Sequence, residues 1–576
     1  MAKVKIEPAG KAVIAVVILA VLGTAYFLWG RPILNKTDGK PTSGSAVAAA
    51  TGTPAATATG AGATLPTATL PVATLPGQPT AQRTYKVALS QWPGHMAGVL
   101  ACGGLKTQPG SYCSKVESTL RPGDPGIDLE FVFIEEPDKK NGALQTGSVD
   151  AVWQTTDELP INLPGYAKAG VTPKAFVQID WSRKGDGCAA MPSVKKPRDM
   201  LTHKGAVLKF SPDHTVLEYW LTNGDLTPEE LTKARSNISF SMDDFTYARN
   251  LFCQGQIDLA CLWEPDLQQA LACRPGAHLV FSTGDASTLV ADNLLAKSDF
   301  LAASPDVAEK IVRVFLEGTR IGTADPQGAA RMISTVVPRF RDELKYEGTL
   351  AAISWVKWND LGDNASYFGL DGNPPMFDKV YKQADTIWGD YVEADGTPAL
   401  TQRFTPSTLR DGSIVKAIYD IEMKARAEQA AAAGKIATPI TAEKPVYNPA
   451  QVALAEPKLV KAVTINFETA SSTLDINARA ILKSQVLSQV DFVQGMGFRV
   501  EGNTDSTGDR TANKKLSQRR AGAVRDFLVT QGVDPNRIVS QGNGPDSPLC
   551  QETTPECYAT NRRTDIVFVS LNSASN

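Results

Sequence analysis

Histidine is scarce in this chain, with four among 576 residues, and no two cysteines stand in a C-x-x-C spacing. Without clustered His and Cys, the usual sequence signature of a zinc or thioredoxin-like centre is missing. H-E-x-x-H, G-x-S-x-G and the phosphate-cradling G-x-x-x-x-G-K-[ST] are missing too, so metalloprotease, hydrolase and nucleotide chemistry lack their residues. The expectation is a protein that is not an enzyme and uses no cofactor and no metal. There is no excess of positive charge either. The formal net charge is -3, with 58 Lys and Arg against 61 Asp and Glu, and nucleic-acid phosphates call for a basic face. Nucleic acid is set aside as a partner.

What is present begins with an apolar run. Residues 1–11, with Lys3, Lys5 and Lys11, precede an uncharged stretch from Ala12 to Trp29. Eighteen residues of helix rise about 27 Å, close to the hydrocarbon thickness of a bilayer. Residues 12–30 are therefore expected to form a transmembrane signal-anchor helix, with 1–11 cytoplasmic and the bulk of the chain in the periplasm. Gly23-Thr24-Ala25 resembles a cleavage site, which makes a cleaved leader the competing reading. The run continues through Tyr26, Phe27, Leu28 and Trp29, which suits an interfacial anchor better. Cys102 is the first of eight cysteines, so no lipid-bearing cysteine lies near the N-terminus. An even number in an exported chain points to disulfides. Cys102 with Cys113 and Cys550 with Cys557 are natural local pairs, while Cys188, Cys253, Cys261 and Cys273 leave three pairings open.

Residues 31–83 collapse in composition to Ala, Thr, Gly and Pro, with ATLP recurring at 63, 68 and 73. A segment with so little to bury reads as a disordered linker. From 84 to 420, strand-like runs (YKVALS, IDLEFVFI, AVLKF, IDLACLW) alternate with helix-like ones (DHTVLEYWLT, DVAEKIVRVFLEGTRIG), as in an α/β fold with a largely parallel sheet. LQTGSVDAVWQTTDELP at 144–160 and FCQGQIDLACLWEPDLQ at 252–268 echo each other, running from Gly-x-Val/Ile-Asp into an apolar strand and then a polar loop. Two lobes of similar construction would produce that echo. Residues 421–460 read as a helical, Pro-containing linker. The last unit, 461–570, alternates strands (VTINF, FRVEGNTD, RIVSQGNG, TDIVFVS) with two helices, as a small α/β sandwich.

In that unit Asp505 ends a strand, Asn513 sits where a cap or first-turn residue would open the next helix, and Arg520 follows one position after Arg519. A carboxylate and a guanidinium held in register form a site for a zwitterion. The plain structural alternative is an Asp that caps a turn and two solvated arginines. The full pattern, EGNTDSTGDRTANKKLSQRRAGAVRDFL with a terminal TNRRTDIVFV, resembles the OmpA-like peptidoglycan-binding domain of OmpA, Pal and MotB proteins. That resemblance implies that Asp505 and Arg520 hold the zwitterionic end of diaminopimelate in the peptide stem, with Asn513, Asn561, Arg562 and Arg563 completing the motif. The loop CQETTPECYAT departs from the family pattern, which leaves its contacts open.

The middle unit resembles periplasmic substrate-binding proteins of the nitrate, taurine and aliphatic-sulfonate type, through VALSQWPG, ALQTGSVDAVWQTTDELP, VQIDWSRKGDG, LKFSPDHTVLEYWL and IDLACLWEPDLQQAL. The resemblance implies a two-lobed Venus flytrap that closes over a small solute at the carboxyl ends of its strands. Candidate contacts are Gln91 and Trp92, Thr155, Thr156 and Asp157, Asp180 and Ser182, Asp213, His214 and Thr215 at a helix start suited to an anion, and Trp263 with Glu264. Each also has an ordinary structural reading, Asp213 as an N-cap and Trp263 as lobe packing. So many acids suit a cationic or amine-bearing solute at least as well, so the family's anionic ligands are not carried over. Two classes of function follow. One is an inner-membrane-anchored solute receptor that also binds peptidoglycan. The other is a structural tether, or a motor-coupling protein with a membrane protein partner. Ion-driven coupling needs an acid within the membrane, and residues 12–29 hold none.

Overall fold

The computed structural model describes residues 83–571, apart from 456, 464, 466, 468–470 and 491. The expected cytoplasmic N-terminus, membrane helix and nearly all of the Ala/Thr/Pro-rich linker lie outside the described residues. Among the described residues, no helix is long and apolar enough to cross a membrane.

The chain builds β1 (Tyr85–Leu89), β2 (Leu129–Phe133), β3 (Ala151–Thr155) and β4 (Pro173–Ser182), then crosses to a second sheet. There it lays down β5 (Asp186–Ala190), β6 (Gly205–Leu208), β7 (Ile238–Ser241), β8 (Leu259–Trp263) and β9 (His278–Ser282). It returns with β10 (Ala291–Lys297) and β11 (Val356–Trp358). The two sheets run β11-β4-β10-β3-β1-β2 and β7-β6-β8-β5-β9. The unit is thus two-lobed and the chain passes between the lobes twice. Ser182 and Thr283, one on each crossing, bridge through their hydroxyls at 2.6 Å.

The parallel strands are buried on both faces, which explains their unbroken apolar runs: every residue of β3 and all but the last of β8 are buried. The internal echo has a structural cause. In both copies a helix ends on a left-handed glycine, Gly147 at φ 75° and Gly255 at φ 74°, and the chain turns directly into a central strand whose far end faces the other lobe. The helix Pro305–Ala324 buries Val307, Ala308, Ile311, Val312 and Phe315 at helical spacing. A Cβ on its Gly318 would stand 1.7 Å from the Ala97 carbonyl oxygen, so only glycine admits so close a helix contact. Cys188 and Cys261 pair across β5 and β8, and Cys253 with Cys273 ties two helices of the same lobe. These are the pairings that spacing left open. Cys102–Cys113 and Cys550–Cys557 form locally.

The last unit is a four-stranded sheet of order β12-β15-β13-β14, made of β12 (Pro457–Val463), β13 (Met496–Asn503), β14 (Ile538–Gly544) and β15 (Thr564–Ser570). Its first strand takes in Val463 of the expected VTINF, while Thr464 and Asn466 lie outside the described residues. It lies upstream, largely inside the segment read as linker, with Leu459 opposite Phe568. Proline is tolerated at the first position of an edge strand, so Pro457 does not end the run. The preceding helix Pro449–Leu454 belongs here as well, packing Val452 on Val567 and Val569. Thr288 of the second lobe donates its hydroxyl to the Phe492 carbonyl at 3.0 Å, and Lys458 reaches the Val280 carbonyl at 3.4 Å.

Candidate binding sites

In the C-terminal unit, β13 delivers Asp505 to the turn before the helix Arg510–Thr530. Asp505 Oδ1 accepts from the Thr507 backbone N–H at 3.0 Å and from the Thr507 hydroxyl. Its Oδ2 accepts from Arg562 Nη1 at 2.7 Å. Burial pushes this carboxyl up, but the bonds from Thr507 and Arg562 outweigh it and hold Asp505 below the usual carboxylate range. Arg520 comes from the third turn of the helix, not the second. Its Nε donates to the Ser471 carbonyl at 3.0 Å and its guanidinium lies 4.9 Å from the Phe467 ring centre. Partial burial, and then the nearby Arg562, lower the pKa of Arg520, with Asp505 opposing. One carboxylate and two guanidinium groups therefore meet at one end of the sheet.

The other motif residues have structural roles. The helix is capped by Asp509, which accepts from the Ala512 N–H at 2.7 Å; Asn513 sits one turn in and donates to the Thr507 carbonyl at 2.7 Å. That bond braces the turn holding Asp505. Asn561 is buried, accepting from the N–H groups of Leu549 and Cys550 and donating to the Cys550 carbonyl at 2.7 Å, so it pins the disulfide loop. Arg563 is buried against Asp565 at 2.9 Å.

In the two-lobed unit, the carboxyl ends of β1, β3 and β8 and the start of the helix Pro212–Thr222 converge between the lobes. A narrow cavity there is lined by Trp92, His95, Trp153, Thr155 and Asp292 from one lobe and by Asp186, Pro212 and Trp263 from the other. Trp92 Nε1 donates to Asp180 Oδ2 at 2.9 Å. Thr155 is buried with its hydroxyl unpartnered. Asp157 is fully buried, and burial, reinforced by Glu158, pushes its carboxyl up to about 8. Asp180, Asp186, Asp213 and Glu264 are likewise held well above the carboxylate range, burial first, then neighbouring acids.

Several expected contacts fall elsewhere. Gln91 lies at the rim, bonded to Glu135 and accepting from the Arg339 N–H at 2.8 Å. Thr156 is held by Tyr367 and Asn293, and Ser182 belongs to the crossing. Ser211, not Asp213, caps the helix. His214 points away, accepting at Nδ1 from the Phe210 N–H at 3.0 Å among Phe240, Trp388 and Tyr391. Burial takes its pKa down to about 3. Thr215 lies beside Asp157. Asp186 and Asp157 lie near Asp213 at this helix start, a setting of acids that disfavours the anion expected there.

His95, Asp180 and Asp292 bring three ligand atoms within 4.8 Å of one another, the spacing of a metal site. The hydrogen bonds of His95 oppose that use. Its Nδ1 accepts from the Ser90 N–H at 3.1 Å, so the ring proton sits on Nε2 and donates to Asp292 at 2.9 Å. A metal ligand needs the reverse, a bare nitrogen toward the ion and an N–H behind it. His95, Trp153, Asp186 and Asp292 were not among the sequence candidates.

Fold and sites thus define a two-lobed α/β unit joined to a small sandwich with a zwitterion-sized charge cluster. Residues 466–562 match the OmpA family. The chain is 38% identical over 128 residues to outer membrane protein A of Bordetella avium, covering 22% of this chain and 64% of that protein. It is 34% identical over 99 residues to the peptidoglycan-associated lipoprotein of Rhizobium meliloti, covering 17% of this chain and 56% of that protein. The chain thus spans less than two thirds of either relative. Among solved structures, the alkanesulfonate-binding protein SsuA of Xanthomonas axonopodis pv. citri aligns over 58% of this chain and 100% of its own, at 15% identity and a TM-score of 0.41.

Proposed function

We propose that the protein is a non-enzymatic component of the cell envelope that grips peptidoglycan through its OmpA domain, is held in the inner membrane by residues 12–30, and offers its two-lobed unit to a small polar solute. The observation that carries the wall-binding part is the meeting of Asp505, Arg520 and Arg562 in a domain whose relatives include a peptidoglycan-associated lipoprotein. Diaminopimelate carries an ammonium and a carboxylate on one carbon. The Asp505 carboxylate takes the first, and the two guanidinium groups take the second in charge-assisted contact. Arg562 already rests on Asp505, so the incoming ammonium shares that carboxylate with it while the ligand's carboxylate restores charge balance. The test is sedimentation with purified sacculi. Asp505→Ala and Arg520→Ala each lose a charge-assisted contact of about 1.5–3 kcal/mol and should bind at least tenfold more weakly. Parent-like sedimentation of both variants overturns the assignment.

A further inference from the structure

The acids of the two-lobed cleft differ in one respect, which is whether the protein supplies a partner. Glu158 has Lys140 at 3.2 Å, Asp266 has Arg339 at 2.8 Å, and Asp292 has His95 at 2.9 Å. Asp157, Asp180, Asp186, Asp213 and Glu264 have no ion pair among the described residues, although all five are buried. Both carboxylate oxygens of Asp157 and of Glu264, and one oxygen each of Asp180 and Asp213, lack any hydrogen-bond donor. Thr215 and Gln268 lie near enough to Asp157 and Glu264 to lower their pKa values, yet neither makes a hydrogen bond of sound geometry with them. A buried acceptor without a donor is costly, more so once charged.

The cavity lining adds independent evidence of a ligand. Trp92, Trp153 and Trp263 line it from both lobes together with Asp186 and Asp292, no Lys or Arg does, and Thr155, whose buried hydroxyl is unpartnered, lines it too. Asp157 and Glu264 are not in that lining but follow it directly in the chain, two residues after Thr155 and one after Trp263. Indole faces attract cations. Trp153 already takes one, with Lys140 Nζ 3.5 Å from its ring centre. An anion meets only acids here. The His95, Asp180 and Asp292 grouping does not suit a metal ion that needs an imidazole ligand, because the proton on His95 Nε2 is set by the Ser90 contact.

Resting on the reading of this unit as a solute binder, we infer that the cleft takes a protonated aliphatic amine, whose N–H groups supply the donors that Asp157 and Glu264 lack while its carbon chain lies against the tryptophans. An N–H-bearing ammonium fits better than a quaternary one, because the unmet groups are hydrogen-bond acceptors. Asp157 stands on one lobe and Glu264 on the other, so one ligand touching both favours the closed arrangement.

Calorimetry and thermal-shift measurements on the full-length protein in detergent test this with propylamine, 1,4-diaminobutane, tetramethylammonium, calcium chloride and ethanesulfonate. Saturable binding of one or both primary amines, at least tenfold tighter than tetramethylammonium, is expected. Asp157→Asn and Glu264→Gln should each weaken it at least tenfold. Trp263→Leu, at the half-exposed rim, should weaken it severalfold, which serves if either acid variant folds poorly. Preferential binding of ethanesulfonate, calcium or tetramethylammonium overturns the amine and leaves the solute reading standing. No binding by any probe, with scattering profiles that never change, overturns both.

Discussion

Asp157 has no cation beside it. Around it stand Glu158, Asp292, Asp186 and Asp213, with Lys140 taken by Glu158. With its carboxyl pushed up to about 8 by burial, the folded protein keeps a proton that the unfolded chain releases near pH 4. The folded state then binds more protons, so stability is full below the unfolded value and is lost as pH rises toward 8. Asp180, Asp186, Asp213 and Glu264 are shifted the same way. His214 works in the opposite sense at lower pH, because burial holds it near 3 while the unfolded chain takes up its proton below the ordinary histidine value of 6.5. The window from 6.5 to 8 therefore isolates the acids. The ligand-free thermal midpoint should fall across it, and Asp157→Asn should flatten the slope by about 1–2 kcal/mol in total. A midpoint that holds steady or rises through this window means that these carboxyls are already ionised. A bound amine should reverse the trend, since it binds the ionised form.

The helix Arg510–Thr530 carries Arg520, and two glycines set how closely it lies on the sheet. A Cβ on Gly502 would stand 2.3 Å from the Ser517 carbonyl oxygen, and one on Gly542 would stand 2.4 Å from the Gln518 N–H nitrogen. Both obstacles are backbone, so the helix itself must lift. Gly502→Ala should cost about 1–3 kcal/mol, as overpacking does, and should weaken sacculus binding by shifting Arg520 from Asp505. Gly522→Ala on the same helix meets open space and should instead raise stability by up to about 1 kcal/mol, with binding unchanged. Equal effects from the two substitutions would mean that contact with the sheet does not position Arg520.

The same elements show what a sequence can reveal. Asp505 and Arg520 were legible because a strand, a Gly-rich turn and an apolar helix stripe fix their register. The spacing leaves Asn513 as a cap or a first-turn residue, and only the backbone path, which makes Asp509 the cap, chooses the first turn for it. In the cleft, Thr155, Asp157 and Glu264 were legible as carboxyl ends of parallel strands. His95, Asp186 and Asp292 were missed because one sits in a short turn, and β5 and β10 run antiparallel to their neighbours, presenting their amino ends to the same cleft. The Asp292-Asn293 pair inside the apolar β10 was the available signal.

At the scale of the whole molecule, all eight cysteines are paired, which fits an oxidising compartment outside the cytoplasm. The proposed function attaches one chain at two places, by residues 12–30 to the membrane and by the Asp505 cluster to the wall. Two linked attachments raise each other's effective concentration, so overall retention exceeds either alone by about 10²–10⁴-fold, and loss of one leaves the other holding. Replacing residues 1–31 with a cleavable export signal should move the protein out of the membrane fraction while it still sediments with sacculi. Asp505→Ala alone should leave it in the membrane fraction. Only the combination should release it as a soluble periplasmic protein. If the signal-replaced protein stays with the membrane, the apolar run is not its anchor; if the combined variant still sediments with sacculi, wall binding does not pass through Asp505. The two attachments thus fail separately, and neither result depends on what the cleft binds.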